Sequence, residues 1–116
     1  MSNVTTHVLD ASAGRPAAGI AVVLEGAVAG GSGWAEVATG TTDDDGRIAD
    51  LGPEALPGGT YRLTFATGAY FDARGVDTFY PEVTVAFRVA VADQPNQHYH
   101  VPVLLSPFAY STYRGS

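Results

Sequence analysis

The sequence contains three histidines, His7, His98 and His100. Histidine is the side chain best matched to proton transfer near neutral pH. Arg47 adds a guanidinium that could clamp a carbonyl or steady a developing negative charge. The sequence ends in Tyr113-Arg114-Gly115-Ser116, which offers a phenol, a second guanidinium, a flexible step, a hydroxyl and a carboxylate. Brought together, such groups could activate water and hold an oxyanion. Taken singly, each also has an ordinary structural reading. A strand histidine is more often satisfied or exposed than reactive, and an arginine after Asp43-Asp44-Asp45-Gly46 can simply be solvated beside its acidic neighbours. A polar C-terminus usually frays.

Other chemistries are disfavoured. His98 and His100 lie at i, i+2, the start of a metal site, but no carboxylate falls in the surrounding strand. No metal and no cofactor are therefore expected. The Asp43–Gly46 run is superficially similar to a calcium loop, yet it lacks alternating Asp spacing and a distal Glu, so it reads as a turn. There is no cysteine, which removes disulfides, thiolate ligands and cysteine nucleophiles. No Gly-Xaa-Ser-Xaa-Gly elbow and no dinucleotide glycine motif occurs. The net charge is −6 with only 6 Lys plus Arg, so nucleic acid and anionic membrane surfaces are not expected partners. No signal peptide and no apolar run near membrane-span length is visible, and a cytoplasmic protein is the default expectation.

The elements that must position these groups are strands. A chain of 116 residues fits one domain, spanning 1–116. Apolar runs rich in Val, Thr, Phe and Tyr recur between Gly, Pro and Asp clusters. They predict strands over Asn3–Asp10, Gly19–Gly26, Trp34–Thr41, Gly59–Ala66, Glu82–Ala92, His98–Ser106 and Phe108–Arg114, with a short one near Arg47–Leu51. Gly14-Arg15-Pro16 and Gly30-Gly31-Ser32-Gly33 read as turns, and Thr42–Gly46 as a turn with Asx bonding available. Only Gly68–Gly75 reads as helix, closed by Gly75. The class is all-β, a sandwich or barrel.

Parity sorts the faces. Val4, Thr6 and Val8 point one way, and Thr5, His7 and Leu9 the other. Tyr99, Val101, Val103 and Leu105 form a core stripe, which leaves His98, His100, Pro102 and Leu104 on the opposite face. In the last strand Ser111, Tyr113 and Gly115 share a face. The outward faces are too apolar to be left wet, which suggests a subunit interface. A domain of this size supports one core but no deep private pocket. A tight small-molecule site would then lie between subunits.

The segments Thr6-His7-Val8-Leu9-Asp10, Gly14-Arg15-Pro16-Ala17, Thr42-Asp43-Asp44-Asp45-Gly46-Arg47 and Gly68-Ala69-Tyr70-Phe71 resemble the transthyretin-like superfamily. His98-Tyr99-His100-Val101-Pro102 through Ser106-Pro107 to Tyr110-Ser111-Thr112-Tyr113-Arg114-Gly115-Ser116 is similar to its 5-hydroxyisourate hydrolase branch. The resemblance covers about residues 4 to 116, and the terminal Tyr-Arg-Gly-Ser is its most specific part. It implies a transthyretin-like (prealbumin-like) sandwich of two four-stranded sheets with one short helix, assembled as a homotetramer with active sites at the dimer–dimer interface. It implies metal-free hydrolysis of 5-hydroxyisourate to 2-oxo-4-hydroxy-4-carboxy-5-ureidoimidazoline in urate breakdown, without a cofactor. On that resemblance His7, Arg47, His100 and Ser116 are the catalytic set, with His100 rather than His98 as the second histidine. His7, Arg47 and Tyr113 would bind substrate, Tyr113 closing the family's channel into a shallow pocket. Which histidine acts as base stays open. The alternative is a transthyretin-like small-molecule binding protein with an open channel and no hydrolase activity.

Overall fold

The computed structural model describes residues 3–91 and 97–116. The strands are β1 (Val4–Asp10), β2 (Arg15–Pro16), β3 (Ala21–Ala27), β4 (Trp34–Thr41), β5 (Arg47–Ile48), β6 (Gly59–Phe65), β7 (Val83–Val89), β8 (Tyr99–Ser106) and β9 (Ala109–Thr112). The helix, α1 (Thr67–Asp72), lies between β6 and β7. The expected strand over Glu82–Ala92 appears as β7; Ala92 itself lies outside the described residues.

The strands form two sheets, so of the sandwich or barrel left open by the sequence pattern the structure is the sandwich that the family resemblance implied. One runs β4-β3-β6-β7 and is antiparallel throughout. The other runs β2-β1-β8-β9, with β5 also pairing β1. It has five strands rather than four because two short ones share one edge of β1 end to end. β2 pairs Leu9 and Asp10, and β5 pairs Thr6 and His7. The sheet is thus four positions wide. Arg15–Pro16, expected only as a turn, therefore returns far enough to pair.

The core fills the space between the sheets, as alternation dictates. Val4 and Val8 of β1, and Val101, Val103 and Leu105 of β8, meet Val22, Leu24, Leu63 and Phe65 from the opposite sheet. Burying side chains of this kind contributes roughly 1.5–3 kcal/mol each. Helix α1 closes one end with buried Tyr70 and Phe71. It ends in a Schellman arrangement: the amide of Gly75 bonds the Asp72 carbonyl and that of Val76 bonds the Phe71 carbonyl, both at 3.0 Å. Gly75 takes the positive φ of 69° that this cap requires.

The Tyr70 hydroxyl donates to the Asp10 carboxylate at 2.8 Å. Asp10 also accepts from the Ser12 hydroxyl and the Ala13 amide at 2.6 and 2.9 Å. Burial alone would raise the Asp10 pKa. The hydrogen bonds outweigh it and hold the carboxyl below the ordinary Asp value. This cluster ties the end of β1 to α1.

Candidate functional site

The feature that organises the site is the parallel pairing of β1 with β8. Its register sets Thr5 opposite His100, His7 opposite Pro102 and Leu9 opposite Leu104. On the other side of β1, His7 pairs with Arg47. Beyond β8, Gly115 bridges to His100. Directly paired residues point to the same side of a sheet with Cβ atoms about 4.5–5.5 Å apart. The outer face of this sheet therefore gathers Arg47, His7, Thr5, His100 and Gly115 from four separate stretches of chain.

Arg47 is placed by its turn. The Asp43 carboxylate accepts from the amides of Asp45 and Arg47, both at 2.9 Å. Gly46 has φ 76°, and a Cβ there would collide with the Val8 carbonyl oxygen. Only glycine lets this turn lie against β1. The Gly46 carbonyl in turn accepts from the Val8 amide at 2.7 Å. His7 joins the same turn through Nε2, which lies 2.9 Å from the Asp45 carbonyl oxygen. A carbonyl only accepts, so this Nε2 carries a proton, and in the neutral ring Nδ1 is the nitrogen left with a lone pair.

His100 is held on two sides. Its Nδ1 lies 2.8 Å from the Thr5 hydroxyl. The backbone of Gly115 lies against its ring, and a Cβ on Gly115 would come within 2.5 Å of His100 Cδ2. The Gly115 amide donates to the His100 carbonyl at 2.9 Å. Burial, and then the neighbouring His98, His7 and Arg47, push the His100 pKa below the usual histidine value. The ring is therefore neutral at neutral pH, with Nε2 unclaimed by Thr5, as a base toward water requires.

Arg47, His98, His100 and Ser116 line one recess of roughly 240 Å³, together with Thr5 and Ile48. Tyr113 and Arg114 line a neighbouring recess of roughly 310 Å³ with Val85, Phe87 and Val101. His100 borders both. Tyr113 is 59% exposed, so in the single chain it covers little. The Arg114 guanidinium sits 4.9 Å over the Tyr99 ring and donates to the His98 carbonyl at 3.4 Å, an anchor for the tail. The tail thus divides its work: Arg114 and Gly115 fasten it to β8, while Ser116 reaches the Arg47 recess. Among the described residues, no group of three or more His, Cys, Asp or Glu side chains is disposed to hold a metal ion.

The structure brings together Arg47, His100 and Ser116, and places His7 beside Arg47. It also adds Thr5, which the sequence reading noted only for its face. A threonine in a strand is ordinary, and nothing in the sequence signals that residue 5 pairs with residue 100.

A sandwich of two sheets with one short helix between β6 and β7 defines a transthyretin-like fold. A family model described as the HIUase/Transthyretin family matches residues 4–115, and the chain belongs to that family. A 5-hydroxyisourate hydrolase of Salmonella typhi is 50% identical over 117 residues, covering 99% of this chain and 82% of that one. Among solved structures, a 5-hydroxyisourate hydrolase of Klebsiella pneumoniae aligns with TM-score 0.82 and 37% identity over 100% of this chain and 94% of that one. Sea bream transthyretin, solved with thyroxine, aligns with TM-score 0.89 and 35% identity over 97% of this chain and 94% of that one.

Proposed function

We propose that this chain hydrolyses 5-hydroxyisourate to 2-oxo-4-hydroxy-4-carboxy-5-ureidoimidazoline in urate breakdown. The observation that carries the reading is the convergence of Arg47, His100 and Ser116 on one recess, with His7 paired to Arg47. The 50% identity to a hydrolase across nearly the whole chain supports it.

Opening a cyclic acyl urea needs an attacking water, a stabilised oxyanion and a proton for the leaving nitrogen. His100 presents Nε2 as base toward water, an effect worth roughly 10²–10⁴-fold. His7 presents Nδ1 and shares the proton handling. Arg47 clamps the substrate and stabilises charge on its carbonyl oxygen, on the order of 10²–10³-fold for one donor. Ser116 orients water or substrate. Tyr113 walls the site from the neighbouring recess.

The working unit in this reading is a cytoplasmic homotetramer with its sites at the dimer–dimer interface. The cluster sits on an outer sheet face rather than in an enclosed cavity, so a second copy is needed to close it. Phe108 and Tyr113 are 66% and 59% exposed, and Leu9 and Leu104 are half-buried on the site face. Such apolar area is typical of a face that another subunit covers.

The alternative, a transthyretin-like binding protein without hydrolase activity, rests on fold similarity to the sea bream protein. The fold is shared by both branches and does not favour it; the His-Arg cluster does not serve it. The deciding experiment adds purified protein to freshly generated 5-hydroxyisourate and follows ultraviolet absorbance. Accelerated loss is expected. Decay at the buffer rate would remove the hydrolase reading.

A further inference from the structure

We infer that Thr5 is a positioning residue that, with His98, sets the tautomer of His100. The inference rests on the hydrolase reading above for its kinetic consequence, and on geometry alone for its structural one. The Thr5 hydroxyl lies 2.9 Å from His98 Nε2 and 2.8 Å from His100 Nδ1. Thr5 is only 6% exposed, so water has little access to compete for its hydroxyl.

A hydroxyl carries one proton. It can donate to only one ring, and the pairing that leaves no hydroxyl proton unused has it donate to one ring and accept from the other. If Thr5 donates to His98 Nε2, it accepts from His100 Nδ1–H, and His100 Nε2 keeps a lone pair for the recess. If Thr5 donates to His100 Nδ1, it accepts from His98 Nε2–H, and His100 Nε2 carries the proton. The first arrangement is ready to take a proton from water; the second is not. The two differ only by the turn of one hydroxyl and the tautomers of two rings, with no net change in proton count.

His98 selects between them. It is exposed, whereas His100 is half-buried. A His98 that presents a bare Nε2 takes the Thr5 proton and leaves His100 ready, whereas one that presents Nε2–H leaves that proton for His100 Nδ1, the unready form. Among the described residues, the charged and titratable neighbours of this pair are His7 on β1, Arg47 on β5, Arg114, which bonds the His98 carbonyl, and the Ser116 carboxylate at the same recess. The hydrogen bonds of the Thr5 hydroxyl run to His98 and His100. A solvent-facing histidine thereby acts on His100 through one buried threonine.

The test uses the full chain with Thr5→Val, Thr5→Ser, His98→Gln and His98→Leu. Thr5→Val should lower kcat about tenfold with KM nearly unchanged, because the tautomer is freed rather than forced into the wrong form. Thr5→Ser should restore kcat to within about threefold. The side-chain amide oxygen introduced by His98→Gln can accept the Thr5 proton at any pH. That variant should therefore keep most activity, with His100 held in the ready tautomer. His98→Leu should fall like Thr5→Val.

Ring nitrogen NMR gives a readout independent of substrate. Above the ordinary histidine range, wild-type His100 should show a protonated Nδ1 and a bare Nε2, and Thr5→Val should shift it toward protonated Nε2. If wild type fails to hydrolyse 5-hydroxyisourate, the function reading fails and the NMR comparison alone decides the role of Thr5. An unchanged His100 tautomer in Thr5→Val overturns the inference. So does a Thr5→Ser variant as impaired as Thr5→Val.

Discussion

The two faces of strand β8 run through the same eight residues and are built for opposite ends. Facing inward, Tyr99, Val101, Val103 and Leu105 are all buried against the second sheet. Facing outward, His100 shares the recess with Arg47 and Ser116. The inner face works through area and shape, with no polar demand beyond the Tyr99 hydroxyl, which accepts from the Ala90 amide. The outer face, on the proposed mechanism, would work through a few aimed atoms, Nε2 of His100 and the Arg47 guanidinium, which contribute little to the core. One strand can thus keep folding and chemistry apart, because its side chains alternate strictly between the faces.

That separation can be broken on either side. Leu105→Ala, at an inner position 1% exposed, should lower stability by about 2–5 kcal/mol, measured by denaturant unfolding. The kcat of the remaining folded enzyme should hardly move. Arg47→Lys replaces a planar fork with a point charge on the outer face. It should lower kcat/KM by roughly 10²-fold while the denaturation midpoint stays close to wild type.

Smaller changes sharpen the same contrast. Gly115→Ala places a methyl group within 2.5 Å of His100 Cδ2, so the ring or the tail must shift. A loss of about tenfold in kcat/KM is expected from displacement of the His100 ring, with stability reduced by less than about 1 kcal/mol. Activity equal to wild type would mean that the ring tolerates the push.

Tyr70→Phe acts far from both faces of β8, at the buried Asp10 cluster. Losing one hydrogen bond to a charged acceptor should cost about 1.5–3 kcal/mol at pH 7. The Asp10 pKa is depressed in the folded state, so its stabilisation is present above the unfolded Asp value and is lost as pH falls through the folded value. Tyr70→Phe reduces that depression. The difference in stability between wild type and variant should therefore shrink on acidification, as thermal midpoints measured from pH 7 down to pH 3 would reveal.

Much of this is legible in the sequence where the cause is local. Alternation separates the Tyr99–Leu105 core stripe from His98, His100, Pro102 and Leu104. The Asp43–Gly46 turn is readable because Asx bonding and a positive-φ glycine are both short-range. Gly75 marks the helix end for the same reason. What cannot be read is which strands adjoin. The β1–β8 pairing joins residues about 95 apart, and it alone makes Thr5 a neighbour of both His98 and His100. The pairing of Arg15–Pro16 with Leu9–Asp10 escapes the sequence because two residues carry no periodicity. The choice of His100 over His98 comes from family resemblance, since both lie on one face. In the structure that choice is less exclusive, because one hydroxyl touches both rings.

The division of labour proposed for β8 gives the chemistry to its outer face and the fold to its inner one. Its most direct test is His100→Ala, assayed for 5-hydroxyisourate hydrolysis and thermal midpoint in the same preparation. The predicted result is a loss of roughly 10²–10⁴-fold in kcat/KM with the midpoint lowered by only a few degrees. Hydrolysis at the wild-type rate, or a collapse of the midpoint that accounts for the lost activity, would contradict it.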